Sequence, residues 1–161
     1  MKLILLLLLF VSQIGLAQEN PKIGDIRLRI SKAITLNTDK ELLGKTPKGY
    51  VYLFSVTLSF DDAGKIDTVY FPQKIDERIN KVMKLSSALV KRIKDQNSVY
   101  KIYSSKFVFI PVFYHNMDDD IIDYRSGFLD SFEKMLPNVN LPTKQWVILK
   151  PLIEQFGPPR K

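Results

Sequence analysis

Between Tyr50 and Tyr70, apolar and polar positions alternate with a period of two. Tyr50, Tyr52, Phe54, Val56, Leu58 and Phe60 share one parity, while the other passes from Val51 and Leu53 to Ser55, Thr57 and Ser59. This pattern predicts a strand with one face buried. The following "DDAG", residues 61–64, supplies an Asp for the first position of a type I turn and a Gly where positive φ is needed. Closing a hairpin there sets Phe60 opposite Ile66, Leu58 opposite Thr68 and Val56 opposite Tyr70. In that register the apolar faces coincide, Asp67 points outward, and the even-numbered residues of both strands line the core.

After Pro72 the spacing changes to steps of three and four. Ile79, Val82, Met83, Ser86, Leu89, Val90 and Ile93 mark one face of a helix over about 76–95, and Arg78, Lys81, Lys84, Lys91, Arg92 and Lys94 fill much of the remainder. "KFVFIPVFYH", residues 106–115, is apolar on both parities, as in a strand covered on both faces. Pro111 within it points to an edge or a bulge. Tyr124 to Leu136 reads as a helix with Phe128, Phe132 and Leu136 on one side, and "QWVILKPLIEQF", residues 145–156, as a last strand carrying Pro151.

Upstream, the segment from Lys22 to Leu36 fits two templates. Ile26, Leu28 and Ile30 alternate as in a strand, and Ile23, Ile26, Ile30 and Ile34 also recur as in a helix. "NTDKELLGKTPKG", residues 37–49, reads as a polar turn region broken by Gly44, Pro47 and Gly49. Together these elements predict a single α+β domain: an antiparallel sheet of three or four strands with one or two helices packed on one face.

The first seventeen residues stand apart. Lys2 precedes an apolar run from Leu3 to about Val11, followed by small residues ending in "GLA". This is the pattern of a secretory signal peptide cleaved after Ala17. The competing reading is a retained membrane anchor, but the run falls short of the roughly 18–20 residues that span a bilayer, and Ser12 and Gln13 interrupt it. Residues 18–161 are therefore expected to be exported, periplasmic or extracellular, with no integral membrane segment after cleavage. The chain has no cysteine, so a hydrophobic core rather than disulfides must hold the domain, and a hydrophobic content of 45% supplies one. The net charge of +7 is spread along the chain, as on a solvated surface that tolerates anionic envelope polymers. Nucleic acid is not an expected partner outside the cell.

Composition narrows the chemistry. Cysteine nucleophiles are excluded, and the sequence has no G-x-S-x-G elbow, glycine-rich phosphate loop or H-E-x-x-H motif. The single histidine, His115, ends a predicted strand and begins "HNMDDDIID". His115, Asp118, Asp119, Asp120 and Asp123 place closely spaced ligands where a hard cation such as calcium could bind. Ile121 and Ile122 fall where a calcium loop needs a further ligand and a glycine. The competing reading is a solvated acidic loop in which Asp123 caps the next helix. Lys84, Lys91 and Arg92, on the outer helix face, are candidate contacts to an acidic surface, with an ordinary solvated face as the alternative. No cofactor and no catalytic constellation are expected.

"YLFSVTLSFDDAGKIDTVYF", "SALVKRIKDQ" and "KFVFIPVFY" follow the order strand, D-x-x-G-K turn, strand, helix with a central Ala, apolar strand. In this respect residues 50–114 resemble the C-terminal domain of TonB, the periplasmic energy-transducing protein of Gram-negative bacteria, and its exported relatives. Residues 116–161 are additional to the resemblance. The resemblance implies a periplasmic module that engages an envelope or outer-membrane protein, with addition of a peptide strand to the sheet edge as the family's mode. The expected function is thus an exported, non-catalytic binding or protein-interaction module. A small hydrolase or metal-dependent enzyme would instead need His115 and the Asp118–Asp123 loop to converge. A structural subunit of an envelope assembly would need an exposed apolar patch or an open strand edge.

Overall fold

The computed structural model describes residues 26–95, 98–119, 131–132, 134–137 and 144–157. The predicted signal peptide and most of the predicted helix over 124–136 lie outside them. The first described element is α1, Ile26–Asn37, so the helical template wins over the strand. Ile26, Ile30, Ala33 and Ile34 are buried, whereas Leu28, which a strand would place beside Ile26 and Ile30, is 69% exposed. A short helix α2, Lys40–Gly44, forms inside the predicted turn region. Asp39 is its N-cap and accepts hydrogen bonds from the Glu41 and Leu42 N–H groups, both at 3.1 Å.

β1, Val51–Phe60, and β2, Ile66–Tyr70, form the predicted hairpin. Phe60 does face Ile66, but the register then shifts, so that Ser59 faces Thr68, Leu58 faces Val69 and Thr57 faces Tyr70. The expected core positions Thr68 and Tyr70 are therefore corrected to Val69. The bulge absorbs one residue beside Asp67, which keeps that carboxylate in solvent and turns a β-branched apolar side chain inward.

The predicted single helix is two, α3, Glu77–Met83, and α4, Ser87–Lys94. Lys84 breaks it with φ 50, in the left-handed region, and its N–H bonds the Asn80 carbonyl at 3.0 Å. A continuous helix would have to reach the sheet along one line. Once broken, α3 seats Ile79, Val82 and Met83 while α4 seats Leu89 and Ile93. Asn37 of α1 donates to the carbonyls of Met83 (3.3 Å) and Lys84 (2.6 Å), satisfying acceptors that the break leaves without helical donors.

A 3₁₀ turn, Lys101–Tyr103, leads into β3, Lys106–Asn116. The sheet runs β2-β1-β3, and the far side of β3 carries two further strands, β4, Gln145–Ile148, and β5, Leu152–Phe156. The α+β class thus stands, with five strands among the described residues. Both C-terminal strands run parallel to β3, β4 beside Lys106–Phe109 and β5 beside Val112–Asn116. β3 is therefore interior, and Pro111 neither ends nor edges it. Leu149 N–H donates to the Phe109 carbonyl at 3.0 Å, so odd-numbered residues of β3 turn their backbone groups toward β4 and β5. Pro111, of the same parity, has no N–H to offer, and it sits where Leu149-Lys150-Pro151 interrupts the neighbouring ladder.

The even-numbered residues of β1 pack with α1, α3 and α4 in one apolar layer. The other parity is buried as well, which corrects the expectation of a one-sided strand. Leu53 packs with Phe109 and Met135. Ser55 Oγ donates to the Met135 carbonyl, and Lys144 Nζ reaches Ser59 Oγ (3.0 Å) and the Phe60 carbonyl (2.9 Å). Phe132 and Leu136, expected on the inner side of a helix, are exposed, and Met135 is the inward residue. Phe128 lies outside the described residues.

Gly64 is required twice over. Its φ is +79, and a Cβ there would lie 2.8 Å from the backbone carbonyl carbon and oxygen of Tyr100. Tyr100 N–H donates to the Gly64 carbonyl at 2.7 Å, and Ser105 N–H to the Asp61 carbonyl at 3.0 Å, so the hairpin turn is docked on the segment that precedes β3.

Candidate functional site

A cleft of about 330 Å³ opens where α2, the start of β1 and α3 meet. Leu42, Lys45, Thr46, Pro47, Tyr52, Glu77, Arg78, Lys81 and Val82 line it. α2 exists because Asp39 caps it, and Asp39 N–H in turn donates to the Val82 carbonyl of α3 at 2.7 Å. That bond, with the Lys84–Asp39 ion pair at 3.0 Å, fixes the two short helices against each other. The Leu42 N–H and, next, Lys84 hold the Asp39 carboxyl below its ordinary pKa.

Tyr52 forms the floor. Its ring is buried, and its hydroxyl lies 2.6 Å from Thr46 Oγ1. Thr46 has one hydroxyl proton, and Oγ1 gives it to the Leu43 carbonyl at 2.6 Å. Tyr52 is therefore the donor in the hydroxyl pair. Burial pushes the Tyr52 phenol above its ordinary value, with the bond to Thr46 opposing it, so the phenol keeps its proton at neutral pH.

The rim is charged. Lys45 pairs with Glu41 at 2.5 Å and Lys81 with Glu77 at 2.7 Å, each one helical turn apart. Lys81 holds the Glu77 carboxyl below its ordinary pKa, and Glu41 raises that of Lys45. Arg78 differs from these lysines. Its guanidinium lies over the Tyr50 ring, 5.0 Å from the centroid, and has no carboxylate within ion-pair distance among the described residues. Stacking occupies the face of the guanidinium and leaves its N–H edges directed elsewhere.

The structure spreads the other candidates out. Lys84 sits at the joint between α3 and α4, tied to Asp39, while Lys91 and Arg92 lie exposed on α4, so the three do not share one helix face. His115 is the penultimate residue of β3, with Nδ1 3.0 Å from the Asn116 carbonyl. Asp118 N–H donates to Asn116 Oδ1 at 3.0 Å, closing a local turn, and Asp119 has a buried Oδ2 without a hydrogen-bond partner among the described residues. Asp120 and Asp123 lie outside the described residues. Among the described residues no group of three His, Asp or Glu side chains could hold a metal ion, and no helix is long and apolar enough to cross a membrane.

Thr46, Tyr52 and Arg78 were not legible as a site. They come from three separate segments, and Tyr52 reads along the chain only as a core position. Comparison with known proteins finds no matching family model, no matching curated protein and no matching solved structure.

Proposed function

We propose that the chain is an exported, non-catalytic binding or protein-interaction module of a Gram-negative cell envelope. The observation that carries this reading is the cleft at Tyr52, lined by apolar side chains and a charged rim, with a stacked arginine that makes no ion pair among the described residues. Small pre-formed clefts of this kind, mostly apolar with a few convergent polar groups, are the usual form of a binding site. The leader-like residues 1–17 and the resemblance of residues 50–114 to TonB C-terminal domains support the envelope location.

A structural subunit of an envelope assembly is the second reading, favoured by a different observation. Ile148 is 72% exposed and Ile153 68% exposed, beside a half-exposed Trp146, along the outer edge of the sheet. Crosslinking in the envelope of the native host, followed by mass spectrometry, tests both. A partner captured by the wild-type chain and lost with Arg78→Gln supports the cleft reading. Loss only with Ile148→Ser and Ile153→Ser supports the assembly reading, and no captured envelope protein overturns both protein-partner readings.

A further inference from the structure

We infer that the cleft at Tyr52 accepts a carboxylate carried on an apolar body, with Arg78 holding the carboxylate. This deepens the binding reading above and rests on it. The lining carries Lys45, Arg78, Lys81 and Glu77, and Lys45 is further neutralised by Glu41 beside it. The two lysine pairs cancel locally, and Arg78 is the lining cation that makes no ion pair among the described residues, although the Asp76 carboxylate lies close enough for its charge to act on Tyr50 and Tyr52. Asp76, the nearest further carboxylate along the chain, accepts a hydrogen bond from the backbone N–H of Arg78 at 2.7 Å as the N-cap of α3.

The orientation of the ligand follows from the hydroxyl pair. Thr46 donates to Leu43 and Tyr52 donates to Thr46, so neither hydroxyl has a proton for an anion at the floor. An oxyanion must therefore sit at the Arg78 end, where the planar N–H fork suits a carboxylate with two parallel hydrogen bonds. The apolar body then lies against Leu42, Pro47, Val82 and the Tyr52 ring. A volume of about 330 Å³ fits one medium-sized aliphatic group with its carboxylate, at the small end of ligand clefts. Two sources share this chemistry, a free small carboxylic acid and the C-terminus of a polypeptide.

The test is a titration of the ¹⁵N-labelled full chain with N-acetyl-leucine, its neutral amide, and N-acetyl-Ala-Ala-Leu with a free carboxylate. The expected result is saturable movement of the Thr46, Tyr52, Arg78 and Val82 resonances with both acids and none with the amide. Arg78 is exposed, so Arg78→Gln is expected to fold and to weaken the acids by about tenfold or more. Tighter binding of the tripeptide than of N-acetyl-leucine assigns the site to polypeptide C-termini, and equal binding assigns it to small acids. Equal binding of acid and amide, or no saturable movement at these residues up to about 20 mM, overturns the inference. An envelope partner captured equally by wild-type and Arg78→Gln chains, with no acid in the cleft, removes the inference and leaves a protein-interaction reading standing. Acid binding without a captured partner keeps the inference and removes the protein partner.

Discussion

From Phe54 to Phe60 the even-numbered side chains of β1 meet the helices as a purely apolar layer, in which Val56 and Leu58 have no exposed surface. The odd-numbered side chains Ser55, Thr57 and Ser59 on the opposite face are equally buried, yet each carries a hydroxyl. Ser55 and Ser59 find partners outside the hairpin, in the Met135 carbonyl and Lys144, whereas Thr57 Oγ1 has none among the described residues. The two faces are stabilised by different physics. Apolar burial scales with area removed from water and is indifferent to direction. A buried hydroxyl contributes only when a partner stands at the right place, and costs free energy when none does. The helix face therefore provides bulk stability, while the hydroxyl face fixes where the segment around Met135 and Lys144 must lie.

The largest expected effect tests the apolar face. Leu58→Ala should cost about 3–5 kcal/mol in urea unfolding, because a fully buried site between strand and helices leaves a cavity. Gly64→Ala probes where that layer ends. Forcing a Cβ against the Tyr100 backbone displaces the Tyr100 ring, which packs edge-on to Phe60 at 5.9 Å, at an expected cost of roughly 2–3 kcal/mol. On the hydroxyl face the signs should diverge. Ser55→Ala should destabilise by about 1–2 kcal/mol because the buried Met135 carbonyl loses its donor. Thr57→Val, nearly isosteric, should stabilise by about 1 kcal/mol because it removes an unpartnered buried oxygen. A destabilised Thr57→Val chain would break the comparison, since the hydroxyl would then have a partner. The smallest effect lies at the cleft. Asp39 has a lowered pKa in the folded chain, so its contribution is fully present above the ordinary value of about 3.9 and is lost as pH falls through the lowered one. Acid unfolding of Asp39→Asn should accordingly show a flatter limb in that window, with a small loss at neutral pH, where the carboxylate's contribution is gone and Asn keeps only the neutral cap.

How far the sequence carries depends on whether a feature is local. The period-two run of β1 and the D-x-x-G turn were readable because each depends on neighbouring residues alone. The bulge was not, because it is decided by a competition between Asp67 and Val69 for the inward position once the sheet is covered. The break at Lys84 has no signature in a lysine; it follows from the separate seats of Met83 and Leu89 and from Asn37, 47 residues away, meeting the freed carbonyls. The loop of His115, Asp118 and Asp119 was conspicuous in the sequence because its polar residues are consecutive. The cleft was invisible there because Thr46, Tyr52 and Arg78 converge only after α2 and α3 have docked.

The interruption at Leu149-Lys150-Pro151 bears on behaviour at high protein concentration. Stacking of chains into cross-β fibrils needs an uninterrupted ladder of about six or seven residues. The outer edge offers four residues in β4, then a leucine, a lysine and a residue without an N–H, then five in β5. A second molecule sliding alongside therefore finds no template of the required length, even though Ile148 and Ile153 would favour its approach. Pro111 lets the central strand run past this gap without leaving a stranded N–H there. Pro151, which interrupts the strand pattern along the chain, thus also limits edge-to-edge pairing along β4 and β5.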